Sequence, residues 1–140
     1  MSRSKLVFGL AALVIGSCGR DDGRLPVYPV EGQVLHRGQP AEGALIVFHP
    51  LDNPDPEASR PNGRVVADGS FRLGTYEAED GAPAGRYAVT VFWPGAPSGP
   101  DADPDLQPDR LRGRYGNPHA SPWQVQVREG PNELEPFQLR

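Results

Sequence analysis

From Val30 onward the apolar residues fall at every second position in short runs, and each run is cut off by Gly, Pro or Asp. A period of two puts successive side chains on opposite faces of a strand, so such runs predict half-buried β-strands. Val30, Gly32 and Val34 alternate with Glu31, Gln33 and Leu35, and Arg37-Gly38-Gln39-Pro40 makes a turn. Ala44, Ile46 and Phe48 form one face of the next run. Gly63 to Ala67 is a third run. Asp68-Gly69 then predicts a two-residue hairpin turn, because both residues tolerate positive φ. Ser70 to Leu73 returns with Phe71 and Leu73 inward. Arg86 to Trp93 turns Tyr87, Val89, Val91 and Trp93 to one face. Trp123 to Val127 alternates again, and Leu134 to Leu139 is the seventh run. Helix is disfavoured throughout by 17 Gly and 17 Pro, since Pro removes a donor and Gly costs backbone entropy. The expectation is an all-β domain over residues 30–140, a sandwich of seven short strands.

Ahead of this domain lies a different kind of sequence. Arg3 and Lys5 are followed by an apolar run of ten residues, Leu6 to Ile15. As a helix it measures about 15 Å, half the hydrocarbon core of a bilayer. It is too short to span and fits the signal helix of a secretory leader over residues 1–17. Ile15-Gly16-Ser17-Cys18 follows at once and resembles the lipobox of bacterial lipoproteins. Cleavage is then expected between Ser17 and Cys18, with lipid on the Cys18 thiol. Two or three acyl chains anchor stably where one does not. Residues 18–29 show no apolar periodicity and predict a flexible tether.

Charge narrows the partners. The net charge is −4, and removing the +2 of Arg3 and Lys5 leaves −6. A mildly acidic surface does not suit nucleic acid, whose phosphates need a basic face. Cys18 is the single cysteine, so no intrachain disulfide framework is possible.

Four motifs follow one another in order: Val30-x-Gly32-x-Val34, Gly43-Ala44-x-Ile46-x-Phe48, Asp68-Gly69-x-Phe71-x-Leu73, and Pro83-Ala84-Gly85-x-Tyr87-x-Val89-x-Val91. Leu111-x-Gly113-x-Tyr115, Ser121-Pro122 and Gly130-x-Asn132-Glu133-Leu134 continue the series. Over roughly residues 28–139 the chain resembles the carboxypeptidase regulatory-like domain, as found in small planctomycete-type lipoproteins. The resemblance implies an Ig-like, transthyretin-like β-sandwich, extracytoplasmic and without an established catalytic role. In that fold Gly85 is expected in a conformation closed to other residues. Tyr87 is expected to bury its ring and cap loop backbone with its hydroxyl, as a tyrosine corner does.

Candidate chemistry is sparse. His36, His49 and His119 have no ligand-pair spacing, so surface histidines and no metal site are expected. Asp101, Asp103 and Asp105 alternate as in a calcium loop, but the sixth and twelfth places hold Leu106 and Arg112 where Gly and an acid are needed. No Gly-x-Ser-x-Gly elbow occurs. No cofactor is expected. The 29-residue stretch Pro94 to Pro122 is longer than a sandwich connection requires, and such loops are functional or disordered. Within it Arg110, Arg112 and Arg114 with Tyr115 form a basic patch with an aromatic, the candidate partner-binding group. The expected function is a membrane-anchored, non-catalytic interaction or structural module of the cell envelope, on the inner or outer membrane. A carbohydrate-binding module is the alternative, suggested by Trp93 and Trp123, and a small hydrolase ranks below both. The partners expected are the membrane through its lipid anchor, and an envelope protein or glycan.

Overall fold

A computed structural model describes residues 22–140; the Leu6–Ile15 run, Ser17 and Cys18 lie outside the described residues. The described chain is all β, two sheets packed as a sandwich. The nine short strands are β1 (Val30–His36), β2 (Gln39–Pro40), β3 (Leu45–Pro50), β4 (Asn62–Arg64), β5 (Ser70–Arg72), β6 (Gly85–Phe92), β7 (Gln124–Val127), β8 (Asn132–Glu133) and β9 (Phe137–Leu139).

The first sheet is built around β1. On one edge β1 pairs antiparallel with β5 and with β2. On the other it pairs parallel with β8 and β9, set end to end along it. The hydrogen bonds sort by parity, as a pleated strand requires. Val30 accepts from Leu73, and Val34 donates to Gly69, toward β5. Glu31 accepts from Leu134, and Arg37 donates to Leu139, toward β8 and β9. Pro136, which has no N–H to give a ladder, separates β8 from β9.

The second sheet has the order β4-β3-β6-β7 and is antiparallel throughout. Its centre is the β3–β6 pair, in register from Leu45↔Phe92 to Pro50↔Tyr87. The expected phase holds: Ala44, Ile46, Phe48, Val89 and Val91 are all fully buried. The outer face of β6 is covered as well. Ala88 and Thr90 are buried beneath the 3₁₀ turn Pro118–Ala120.

Three motif positions have visible jobs. Gly32 leaves a gap on the inner face between Val30 and Val34, and the Phe71 ring fills it. A Cβ at residue 32 would stand 2.9 Å from two ring carbons. Gly85 opens β6 at φ +150°, a region closed to side-chain-bearing residues. Tyr87, two residues on, is buried, and its hydroxyl donates to the Pro83 carbonyl at 2.6 Å. The expected tyrosine corner is present.

The structure differs from expectation at three places. The strands number nine among the described residues where seven were expected, because Gln39–Pro40 pairs back on β1 and Asn132–Glu133 pairs with β1 as a separate strand ahead of the Leu134–Leu139 run. The Asp68-Gly69 turn forms, with Val66 donating to Ser70, and its flanks meet again in a single antiparallel bridge between Asn62 and Gly74, but β4 and β5 share no continuous ladder. The strand before it, β4, belongs to the second sheet and β5 to the first. The turn carries the chain from one layer of the sandwich to the other. Finally, the chain meets the domain ahead of Pro29, where the tether was expected to end. Tyr28 exchanges two backbone hydrogen bonds with Ala82, and the Leu25 N–H donates to the Tyr76 hydroxyl.

Two tests follow from this core. Phe71→Ala leaves the space over Gly32 empty and is expected to cost about 3–5 kcal/mol, read as a lowered urea midpoint at unchanged slope. Burial, with a smaller contribution from Tyr76, pushes the Tyr87 phenol up to about 12, against about 10 in an unfolded chain. The folded state therefore holds this proton longer. The stabilisation is complete below about pH 10 and is lost as pH rises through about 12. Tyr87→Phe is expected to flatten that alkaline branch while costing roughly 1 kcal/mol at neutral pH through the lost hydrogen bond. An identical alkaline slope in wild type and variant would assign the effect to another group.

Candidate functional site

The long stretch from Pro94 to Pro122 is folded in two parts. Its neck is closed by a backbone bridge between Pro94 and Asp109, with Gly95 donating to Pro108 and Arg110 to Trp93 at 2.7 Å. The Asp109 carboxylate collects the N–H groups of Trp93, Leu111 and Gly113 at 2.9–3.0 Å. Beyond the neck, residues 96–107 form an excursion with a single 3₁₀ turn, Pro104–Leu106, capped by Asp103. Leu106 is 79% exposed. Asp105 pairs with Arg64 at 2.9 Å, exposed on both sides, an ion pair worth about 0–1 kcal/mol.

The second part, residues 109–123, packs onto the β6 edge beyond the end of β7. Val91 donates to the Tyr115 carbonyl and Val89 to that of Trp123. The Ser121 hydroxyl reaches the Val89 carbonyl at 2.6 Å. Leu111 and Tyr115 join the core. The four candidate partner-binding residues are therefore not one open patch. The Tyr115 ring is buried and stacked on Trp123 at 4.9 Å, and its hydroxyl accepts the Arg140 N–H at 3.0 Å. Arg114 donates to the Arg140 carbonyl at 2.8 Å. Arg110 lies over the Trp93 ring at 4.7 Å and donates to the Pro94 carbonyl. Arg112, at φ +53° in the turn, is the one of the four whose side chain has no partner among the described residues.

The two tryptophans are occupied in the same way. Trp93 has Arg110 over its ring, the His36 ring at 5.3 Å, and its indole N–H on the Glu42 carbonyl. Trp123 is stacked on Tyr115 and meets Phe137 edge-on at 5.3 Å. Both indoles are half-buried and each already carries a guanidinium or an aromatic neighbour.

Among the histidines, His49 is the most constrained. Its Nε2 lies 2.8 Å from the Thr90 hydroxyl. Burial first, then the charges of Arg60 and His119, hold its imidazole below the ordinary value. A hydroxyl beside an imidazole is a nucleophile–base geometry in outline, and Thr90 is only 7% exposed. His36 packs on Trp93, and His119 is exposed in the 3₁₀ turn. Among the described residues no three of His, Cys, Asp and Glu gather as metal ligands. Asp103 and Asp105 serve the cap and the ion pair.

Two recesses were not visible in the sequence. One, about 390 Å³, lies at the start of β6 beside Leu25, Tyr76 and Tyr87. Its charged pair is already satisfied: Arg86 grips Asp52 at 2.6 and 3.2 Å, and that hydrogen bond holds the Asp52 carboxyl below its usual range. The other, about 460 Å³, is a seam between β7 and the β8–β9 connection. It is floored by Trp123, Val125, Leu134 and Phe137 and rimmed by Glu133 and Glu135. The apolar residues flooring it were legible as strand faces. That residues 122–126 and 133–137 face each other was not, because no local pattern encodes which edges lie opposite.

The closed neck makes a sharp expectation. Replacing residues 96–107 by a two-residue Gly-Ser link should leave the melting temperature within about 3 °C of wild type, since only an exposed ion pair is lost. Tyr115→Ala, which empties a core position, should cost about 3–5 kcal/mol and melt far earlier. Equal melting of the two variants would contradict the division into neck and excursion. In comparisons with known proteins, no family model, no curated protein and no solved structure matches this chain.

Proposed function

We propose that this chain is a lipid-anchored, extracytoplasmic β-sandwich that serves the cell envelope as a non-catalytic interaction or structural module. The observation that carries the reading is the register of Leu6–Ile15, Gly16-Ser17 and Cys18, with a sandwich beginning at Val30 shortly behind it. Charge, apolar length, small residues and thiol each meet the needs of export and lipid transfer. The ordered motifs support grouping the domain with carboxypeptidase regulatory-like sandwiches. In this chain they act as structural devices: a gap for an aromatic ring at Gly32, an opening at Gly85, and a buried cap at Tyr87.

The anchoring reading is open to a direct test. Wild-type protein should take up a palmitate analogue and partition into detergent. Cys18→Ser should lose both and accumulate uncleaved or released. Equal membrane retention of the variant would exclude lipid as the anchor.

A further inference from the structure

We propose that the seam between β7 and the β8–β9 connection binds an extended, basic segment of another protein by strand addition to the free edge of β7. The proposal rests on the interaction-module reading but not on the lipid, so the two can fail separately.

The first observation is the open edge. In β7 the odd-numbered residues turn their backbone groups toward β6: Val89 donates to Trp123, and Val125 and Val127 continue the same parity opposite Tyr87 and Gly85. Gln124 and Gln126 therefore turn their N–H and C=O groups away from the sheet. Neither residue has a backbone partner on that side among the described residues. Backbone groups arrayed in this way are a template for an added strand.

The second observation is what lies beside that edge. The sandwich does not close here. Val125 and Leu134 remain half-buried, while Phe137 is buried at the bottom of the groove. An added strand would place alternate side chains over Trp123, Val125 and Leu134, with the others toward solvent. The third observation is charge, and it selects the occupant. The ten lining residues include the carboxylates of Glu133 and Glu135 and no basic side chain. Neither carboxylate has an ion-pair or hydrogen-bond partner among the described residues. An acidic rim along an open edge favours a strand bearing Lys or Arg and disfavours an acidic one. It also disfavours a second β7 edge, which would bring its own Glu133 and Glu135 to the same groove.

The test uses the full chain in non-ionic detergent and a labelled, end-blocked peptide of alternating Val and Lys. Its control is the same peptide with Glu for Lys. Fluorescence anisotropy should show saturable binding of the Val–Lys peptide below about 1 mM and none of the Val–Glu peptide. Hydrogen exchange at Gln124 and Gln126 should slow when the Val–Lys peptide is bound. Gln126→Pro removes an outward donor without breaking a β6–β7 bond and should abolish binding. The double variant Glu133→Lys/Glu135→Lys alters only exposed side chains and should weaken it about tenfold or more. If Gln126→Pro does not fold, the double variant decides. Equal affinity for the two peptides, unchanged affinity in the double variant, or unchanged exchange at Gln124 and Gln126 would each overturn the proposal. So would light scattering that finds a dimer protecting those same amides, which would give the edge to a second copy.

Discussion

Phe137 joins the two layers of this sandwich. Its ring lies 6.0 Å from Phe71 in its own sheet, 6.4 Å from Phe48 in the other, and 5.3 Å from Trp123 where the sheets meet at one side. Aromatic contacts of this kind contribute about 0.5–1.5 kcal/mol each beyond the area they bury. Parallel pairing holds Phe137 opposite Val34 on β1, so the central strand of one sheet positions the ring that bridges to the other. Trp123 is fixed by Phe137 on one side and by Tyr115 on the other. Through that stack, residues 109–123 become part of the core instead of a loose loop.

The rest of the fold protects this arrangement. The Phe71 ring needs the gap over Gly32, and Phe48 packs against Tyr87 at 5.7 Å, whose hydroxyl in turn closes the Pro83 loop. Two carboxylates organise loops from within. Asp109 gathers three N–H groups at the neck of the long segment. Asp80 does the same for Thr75, Tyr76 and Glu77. Burial alone would raise the Asp80 carboxyl, but those donors outweigh it and hold the group below its ordinary value. Among the described residues no buried polar side-chain atom lacks a partner. In a domain rich in Gly and Pro, side-chain carboxylates supply bonds that the short ladders do not.

This economy bears on function. Most residues that look chemically interesting in the sequence are engaged inside the domain. Arg110 and Arg114 hold backbone carbonyls, Tyr115 and Trp123 hold each other, and His49 holds Thr90. Polar groups without a partner among the described residues include the Arg112 side chain, the outward backbone groups of Gln124 and Gln126, and the carboxylates of Glu133 and Glu135. A contact surface is therefore better sought along the seam than in the basic patch.

The sequence by itself determined the class of the fold and the phase of its strands. Period-2 alternation set Ile46 and Phe48, Phe71 and Leu73, and Val89 and Val91 to the inside, since a slip of one residue would expose every one of them. It also marked Tyr87 and the turn at Asp68-Gly69. Tertiary structure alone decided what each strand lies beside. The Asp68-Gly69 turn crosses between sheets, β8 and β9 run parallel to β1, and Tyr115 leaves the basic patch for the core. The physical reason is that alternation encodes which face of a strand is apolar, whereas its edges carry the same N–H and C=O groups at nearly every residue. Edge partners are chosen by how the whole set of faces closes over one core, and the open seam is where that closure stops.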